Sequence, residues 1–152
     1  MKKYLAVFLV SCLSTACSNE AYFEENKPIN KRSWEYSQIP AFEVHIDDKN
    51  AKYDVFINLR HSNKYDYSNI YLLLHTNGKG LPDTAYRHEI KLAELDGKWV
   101  GKSSGSLYQI QQLAKQDFSF PDTGKYLFRI EQNMRVNPLL DVSDVGIKIM
   151  KK

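Results

Sequence analysis

Two cysteines, four histidines and a few dense polar stretches hold the reactive groups of this chain. Cys12 and Cys17 both lie within the first 17 residues, so positions 18 to 152 offer neither a disulfide nor a thiolate metal ligand. A cysteine so near the start does different chemistry when a charged, then apolar, segment precedes it. Met1-Lys2-Lys3 is followed by Tyr4 to Leu13, apolar apart from Ser11 and Cys12, with Ala16 just before Cys17. This is the arrangement of a secretory signal, too short for the roughly 20 apolar residues of a membrane-spanning helix. A cysteine following small residues at the end of such a signal can be acylated after cleavage. Leu13-Ser14-Thr15-Ala16-Cys17 has small residues at the two nearest positions but Ser14 where a strict acylation box has Leu. Leu9-Val10-Ser11-Cys12 matches that box better, yet leaves about six apolar residues for a signal core that needs 7 to 15. The balance favours Cys17 as the lipid-attachment residue, with cleavage after Ala16 and a free Cys17 thiol as the other outcome. Each methylene buried in lipid contributes about 0.8 kcal/mol, so two or three acyl chains would hold the chain on a membrane where one would not.

The remaining candidates are weaker. His45 and Asp47 stand two apart on an expected strand and so share a face, a possible metal pair without an evident third ligand. His61, His75 and His88 have no ligand-like spacing and are expected at surface or edge positions. Ser103-Ser104-Gly105-Ser106 imitates an anion-cradling loop but lacks the helix start that such loops use, and it reads as a connection. The sequence has no HExxH and no nucleophile elbow. Two stretches are denser. Leu59 to Tyr71 concentrates Tyr65, Tyr67 and Tyr71 with polar groups, and could stack a sugar ring or pack on its own sheet. Glu131-Gln132-Asn133-Met134-Arg135 follows a strand, and a buried Arg135 paired with an acid is the expectation there.

The elements that would carry these residues show a period of two. Tyr53, Val55, Ile57 and Leu59 alternate with Asp54, Asn58 and Arg60; Ala41 to Ile46 precedes them across the turn Asp47-Asp48-Lys49-Asn50. Asn69 to Thr76 is apolar on both faces and reads as central, stopped by Gly78-Lys79-Gly80-Leu81-Pro82-Asp83. Arg87 to Leu95 and Lys98-Trp99-Val100 form an expected hairpin about Asp96-Gly97. Ser106 to Leu113 reads as strand or short helix. Tyr126, Phe128 and Ile130 follow the turn Asp122-Thr123-Gly124, and Val145, Ile147 and Ile149 close the chain. Seven to eight short strands without a long helical pattern predict an all-β fold, a single β-sandwich of jelly-roll or Greek-key type. Trp34, Phe42, Tyr53, Trp99 and Phe128 are its expected core. The expected domains are a signal at 1–16, a lipidated N-terminus and polar tether at 17–33, and the sandwich at 34–152.

Charge narrows the partners. Removing Lys2 and Lys3 with the signal leaves 19 basic against 18 acidic side chains. With no basic stripe, nucleic acid is excluded as an expected partner.

The order of several stretches resembles one family. Tyr53-Asp54-Val55-Phe56-Ile57-Asn58-Leu59-Arg60-His61 is followed by Tyr65-Asp66-Tyr67-Ser68-Asn69-Ile70-Tyr71, by Leu92-Ala93, and by Gly97-Lys98-Trp99-Val100-Gly101. Phe120, Gly124-Lys125-Tyr126, Glu131-Gln132-Asn133-Met134-Arg135 and Asp144-Val145-Gly146-Ile147 complete the series. Together they resemble the gliding-motility lipoproteins of the GldH family, from about Tyr22 to the C-terminus. The resemblance implies a polar segment after the acylated cysteine, as in Cys17 to Lys27, which favours Cys17 over Cys12; Ser14 departs from the family's usual Leu. It further implies a non-catalytic cell-envelope lipoprotein, without cofactor or metal. Its anchor would lie in the outer or inner membrane, and it would act beside other gliding lipoproteins and type IX secretion components. The alternative reading is a lipid-tethered carbohydrate-binding sandwich using Tyr65, Tyr67 and Tyr71; a small-molecule ligand is otherwise not expected.

Overall fold

The computed structural model describes residues 20–152. Cys12, Cys17 and the expected signal lie outside the described residues. Eleven strands run in chain order among those described: β1 (Phe23–Pro28), β2 (Ser33–Trp34), β3 (Ala41–Ile46), β4 (Tyr53–Ser62), β5 (Asn69–Gly78), β6 (Leu81–Lys91), β7 (Lys102–Ser104), β8 (Leu107–Phe118), β9 (Gly124–Gln132), β10 (Leu139–Leu140) and β11 (Val142–Lys151). Eight of them have six residues or more, and three are short additions at one end. The helical content of the described residues is a single 3-10 turn, Asn30–Arg32. The fold is all-β, as the alternation in the sequence requires.

Two antiparallel sheets pack face to face, in the orders β1-β11-β4-β8-β7 and β3-β9-β5-β6, with β10 and β2 pairing separately. Side chains of period two from both sheets fill the space between them. Val55, Ile57 and Leu59 of β4 and Val145, Ile147 and Ile149 of β11 meet Phe42 and Val44 of β3, Ile70, Leu72 and Leu74 of β5, and Tyr126, Phe128 and Ile130 of β9 in one buried cluster. Four of the five expected core aromatics, Trp34, Phe42, Tyr53 and Phe128, are fully buried. Trp99 is only half-buried, because it sits on a narrow hairpin that flanks the sandwich.

The boundary of the folded part differs from the expected one. Residues 17–33 were expected to form a tether, but β1 pairs along its whole length with β11, from Phe23↔Ile149 to Pro28↔Asp144. The hidden signal was weak because β1 is an edge strand whose inward positions carry Glu25 and Lys27. Those two pair at 3.5 Å, and the Lys27 ammonium lies 5.2 Å from the Phe42 ring centroid and donates to the Ala41 carbonyl. Inward-pointing charge on an edge strand is a known guard against edge-to-edge association.

Two turns also depart from expectation. Pro82 does not end a strand; it sits inside β6, which is tolerable because β6 is the edge of its sheet and the absent N–H is not needed for a ladder. The hairpin about Asp96-Gly97 exists as a bridge between Ala93 and Trp99, tied by Val100 N–H to the Leu92 carbonyl at 2.8 Å. The ambiguous segment from Ser106 is a strand, β8. Gly78 is fixed by close approach, since a Cβ there would lie 2.3 Å from the Tyr126 ring.

Candidate functional site

The two ends of the sandwich are unlike. β1 starts and β11 finishes at one end, together with the short connections 47–52, 79–80 and 119–123. This end is closed by a relay of rings: Tyr22 on Tyr53 at 5.4 Å, Tyr53 on Phe120 at 5.2 Å, and Phe120 on Tyr126 at 4.6 Å. Its charges are largely neutralised in place, with Lys151 on Asp47 and Asp48, Lys152 on Asp54 and Asp117, and Lys79 on Asp122. The Lys79 ammonium beside it holds the Asp122 carboxyl below the usual carboxylate range. The ten residues of β11 span roughly 33 Å, and the other end, called distal below, lies that far from where the chain enters.

The distal end is built from longer segments, 29–40, 63–68, 92–106 and 133–141. His61, expected at the surface or an edge, lies at the end of β4 and is fully buried there among Trp99 at 4.7 Å, Tyr65 at 5.5 Å and Tyr108 at 5.7 Å between ring centroids. Its Nδ1 lies 2.9 Å from the Ser62 carbonyl, which can only accept, so the proton is on Nδ1 and Nε2 is a bare acceptor. Nε2 has no hydrogen-bond partner among the described residues. Burial pushes the His61 pKa down and keeps the ring neutral, and burial likewise pushes the Tyr65 phenol up. The box is therefore a packing device that fastens the Trp99 hairpin to the sheet.

Beside it lies a cavity of about 340 Å³ on the outer face of the four-stranded sheet, lined by Tyr67, Tyr71, Arg87, Asn133, Met134, Arg135 and Val136. Tyr71 on β5 and Arg87 on β6 form the floor; the Arg87 guanidinium lies 4.0 Å over the Tyr71 ring, a cation–π contact. Residues 133–136 form the wall, and that wall is rigid. The buried Gln132 side chain donates to the Val136 carbonyl at 3.0 Å and accepts from Met134 N–H at 2.9 Å. Tyr36 adds its hydroxyl to the Met134 carbonyl at 2.8 Å, and Asn133 N–H donates to the Tyr71 carbonyl at 2.8 Å. Arg135 projects from this wall, exposed and without an acidic partner among the described residues. Arg135 is thus neither buried nor paired as expected; a different arginine makes a partly buried ion pair, Arg60 Nε to Asp144 Oδ2 at 2.7 Å on the outer face of the five-stranded sheet.

That outer face carries a polar network that the sequence did not announce. Gly146 of β11 leaves a gap over which Asn58 of β4 donates to Glu24 at 2.9 Å and Asn26 at 3.2 Å, both on β1. Gln111 of β8 donates back to Asn58 at 2.9 Å. Asn58 is buried, and its amide is satisfied by side chains of two neighbouring strands, β1 and β8.

The other sequence candidates scatter. His45 is exposed on β3, while Asp47 lies beyond its end and is held by Lys151 and by the Tyr22 hydroxyl, which receives Asp47 N–H at 3.1 Å. No three His, Cys, Asp or Glu side chains among the described residues gather as metal ligands. Ser103 and Ser104 lie in β7 and Gly105 turns at positive φ into β8, so the stretch is a hairpin connection. Of the three tyrosines proposed to stack a sugar, Tyr65 is 4 % exposed, Tyr71 has Arg87 over its face, and only Tyr67 is substantially open. Arg87 was not singled out in the sequence; its partner Tyr71 is distant along the chain, and only the β5–β6 pairing brings them together. No helix among the described residues is long and apolar enough to cross a membrane.

The fold and its surfaces define a class: a disulfide-free β-sandwich with an elaborated distal end and a strand fastened close to its N-terminus. The chain belongs to the GldH lipoprotein family, whose model matches residues 21–149. It is similar to a gliding motility lipoprotein GldH homolog of Christiangramia forsetii, 29 % identical over 97 % of this chain and 94 % of that protein. It is also similar to the gliding motility lipoprotein GldH of Flavobacterium johnsoniae, 28 % identical over 96 % of this chain and 94 % of the other. No solved structure matches the chain.

Proposed function

We propose that this protein is exported, cleaved before Cys17, acylated on that cysteine and held at a membrane of the cell envelope. There it scaffolds or stabilises a complex of the gliding and type IX secretion apparatus without catalysing a reaction. The observation that carries this reading is the family match over nearly all of the folded part, joined to a relative named for gliding motility. The N-terminal sequence supports anchoring, with two lysines, a short apolar run and Ala16 before Cys17.

The pairing of β1 adds a geometric consequence. Phe23 is six residues after Cys17, and a fully extended chain covers at most about 3.3–3.6 Å per residue. A lipid on Cys17 therefore holds the entry end of the sandwich within roughly 22 Å of the bilayer surface. The paired charges of that end face the lipid, and the distal elements project toward other proteins. The carbohydrate reading is weakened by burial of Tyr65 and by the cover over Tyr71.

Deletion of the gene with complementation by the intact chain and by a Cys17→Ala variant tests the proposal. Loss of surface spreading and of secretion, restored by the intact chain and not by the variant, is expected. Normal spreading, normal secretion and unchanged levels of neighbouring envelope lipoproteins in the deletion strain would contradict it.

A further inference from the structure

The cavity at the distal end holds two guanidinium groups that no described carboxylate pairs with. Arg87 and Arg135 both line it, and neither makes an ion pair or a side-chain hydrogen bond with another described residue. The carboxylates on the adjoining face do not pair with either arginine: Glu89 accepts from Asn69 at 2.7 Å, and Glu131 lies 3.2 Å from His75 Nε2. No carboxylate is among the residues that line the cavity. We infer that the cavity is a binding site for a carboxylate carried on a compact, partly apolar body.

Three features support that chemistry. A guanidinium presents a planar fork that meets a carboxylate with two parallel hydrogen bonds, and the contact with the Tyr71 ring, 4.0 Å away, restrains Arg87 in advance. Met134, Val136 and the Tyr67 ring give the site an apolar flank that hydrated inorganic anions do not need. The Gln132 and Tyr36 contacts hold the wall carrying Arg135, so little ordering cost is left to the ligand. A volume of about 340 Å³ sits at the small end of the range for ligand sites, which suits one amino-acid-sized unit. The shared chemistry has two sources, a free small acid or chain terminus, and the acidic side chain of a polypeptide. The inference is independent of export and acylation.

Titration of the full chain in detergent, followed by isothermal calorimetry, tests it with defined probes. N-acetyl-phenylalanine supplies a terminal carboxylate, its amide removes that carboxylate, and the blocked dipeptide N-acetyl-Phe-Glu-amide supplies an internal one. Inorganic phosphate supplies charge without the apolar body. One or both carboxylates should bind, and whichever is tighter assigns the source. The amide and phosphate should bind at least ten-fold more weakly than the better acid. Arg87→Gln should reduce acid binding ten-fold or more, Arg135→Gln several-fold, and Arg87→Lys should recover only part because it keeps the charge and loses the fork. Both arginines are exposed, and an unchanged circular dichroism spectrum confirms that the variants fold. Equal binding of acid and amide, phosphate binding as tight as the acids, no binding by either acid, or acid binding unaffected by Arg87→Gln overturns the inference.

Discussion

Replacing Gly146 by alanine should destabilise the protein, against the ordinary rule for a strand interior. Glycine in a strand commonly costs about 0.5–1 kcal/mol relative to alanine, so the rule by itself forecasts a gain. Here the added Cβ would lie 2.0 Å from Asn26 Oδ1 and 2.4 Å from the Glu25 carbonyl oxygen. The first atom can swing away, but the second is backbone, and relieving it means shifting β1 off β11. Overpacking of this kind costs about 1–3 kcal/mol. Loss of the Asn58 to Asn26 hydrogen bond adds about 1 kcal/mol. Set against the gain from removing glycine, the net is about 1–3 kcal/mol of destabilisation, or roughly 3 to 10 °C in Tm for a domain of this size. Urea unfolding followed by Trp34 and Trp99 fluorescence measures it, and hydrogen exchange should show faster opening of Glu25 and Lys27 than of residues in β5. A variant as stable as the parent, or more stable, would refute the packing assigned to β1 and the polar network above Gly146.

Further outcomes follow from the distal end and from its titrating groups. His61 and His88 both have pKa values depressed by burial, His88 also by the Lys115 charge, so the unfolded chain binds protons that the folded chain resists. Stability should therefore fall as pH drops below the ordinary histidine value of 6.5, by up to about 1.4 kcal/mol per pH unit for each ring, before the depressed carboxylates of Asp54 and Asp122 lose their contribution nearer pH 4. His61→Phe should reduce that slope by about one proton; an unchanged slope in urea titrations at pH 7 and 5.5 refutes the assignment. Gln132→Leu leaves Met134 N–H and the Val136 carbonyl without their partner and should cost about 2–4 kcal/mol, read as a lower urea midpoint; a change under 0.5 kcal/mol would show that residues 133–136 hold themselves.

Much of the sandwich was legible because burial on one face writes a period of two into the chain. Ala41–Ile46 is recovered to the residue, Tyr53 and Asn69 mark the starts of β4 and β5, and β9 begins at Gly124, inside the expected turn. β1 was not legible, since Phe-Glu-Glu-Asn-Lys-Pro looks like a linker and becomes a strand only through the backbone partners that β11 offers. Pro82 misled for a related reason: its meaning depends on whether the strand is an edge, which is a property of the sheet and not of the local sequence. The two dense stretches, 59–71 and 131–135, do meet at one cavity, Tyr67 and Tyr71 against Met134 and Arg135. Their meeting was not readable, because the strand pairing that brings them together, Leu72↔Gln132 onward, joins positions 60 residues apart. Nor was the role of Gly146, whose purpose is the space it leaves to Asn26 and Asn58 on its neighbours.

Acylation of Cys17, ahead of a sandwich whose first strand begins at Phe23, is the central element of the proposed function. Mass spectrometry of the N-terminal peptide, released from membranes of the native cell, tests that claim most directly. A peptide starting at Cys17 and carrying two or three acyl chains is the predicted result. A peptide starting at Cys17 with an unmodified thiol, or one that retains the residues before it, with the protein recovered in the soluble fraction, would contradict it.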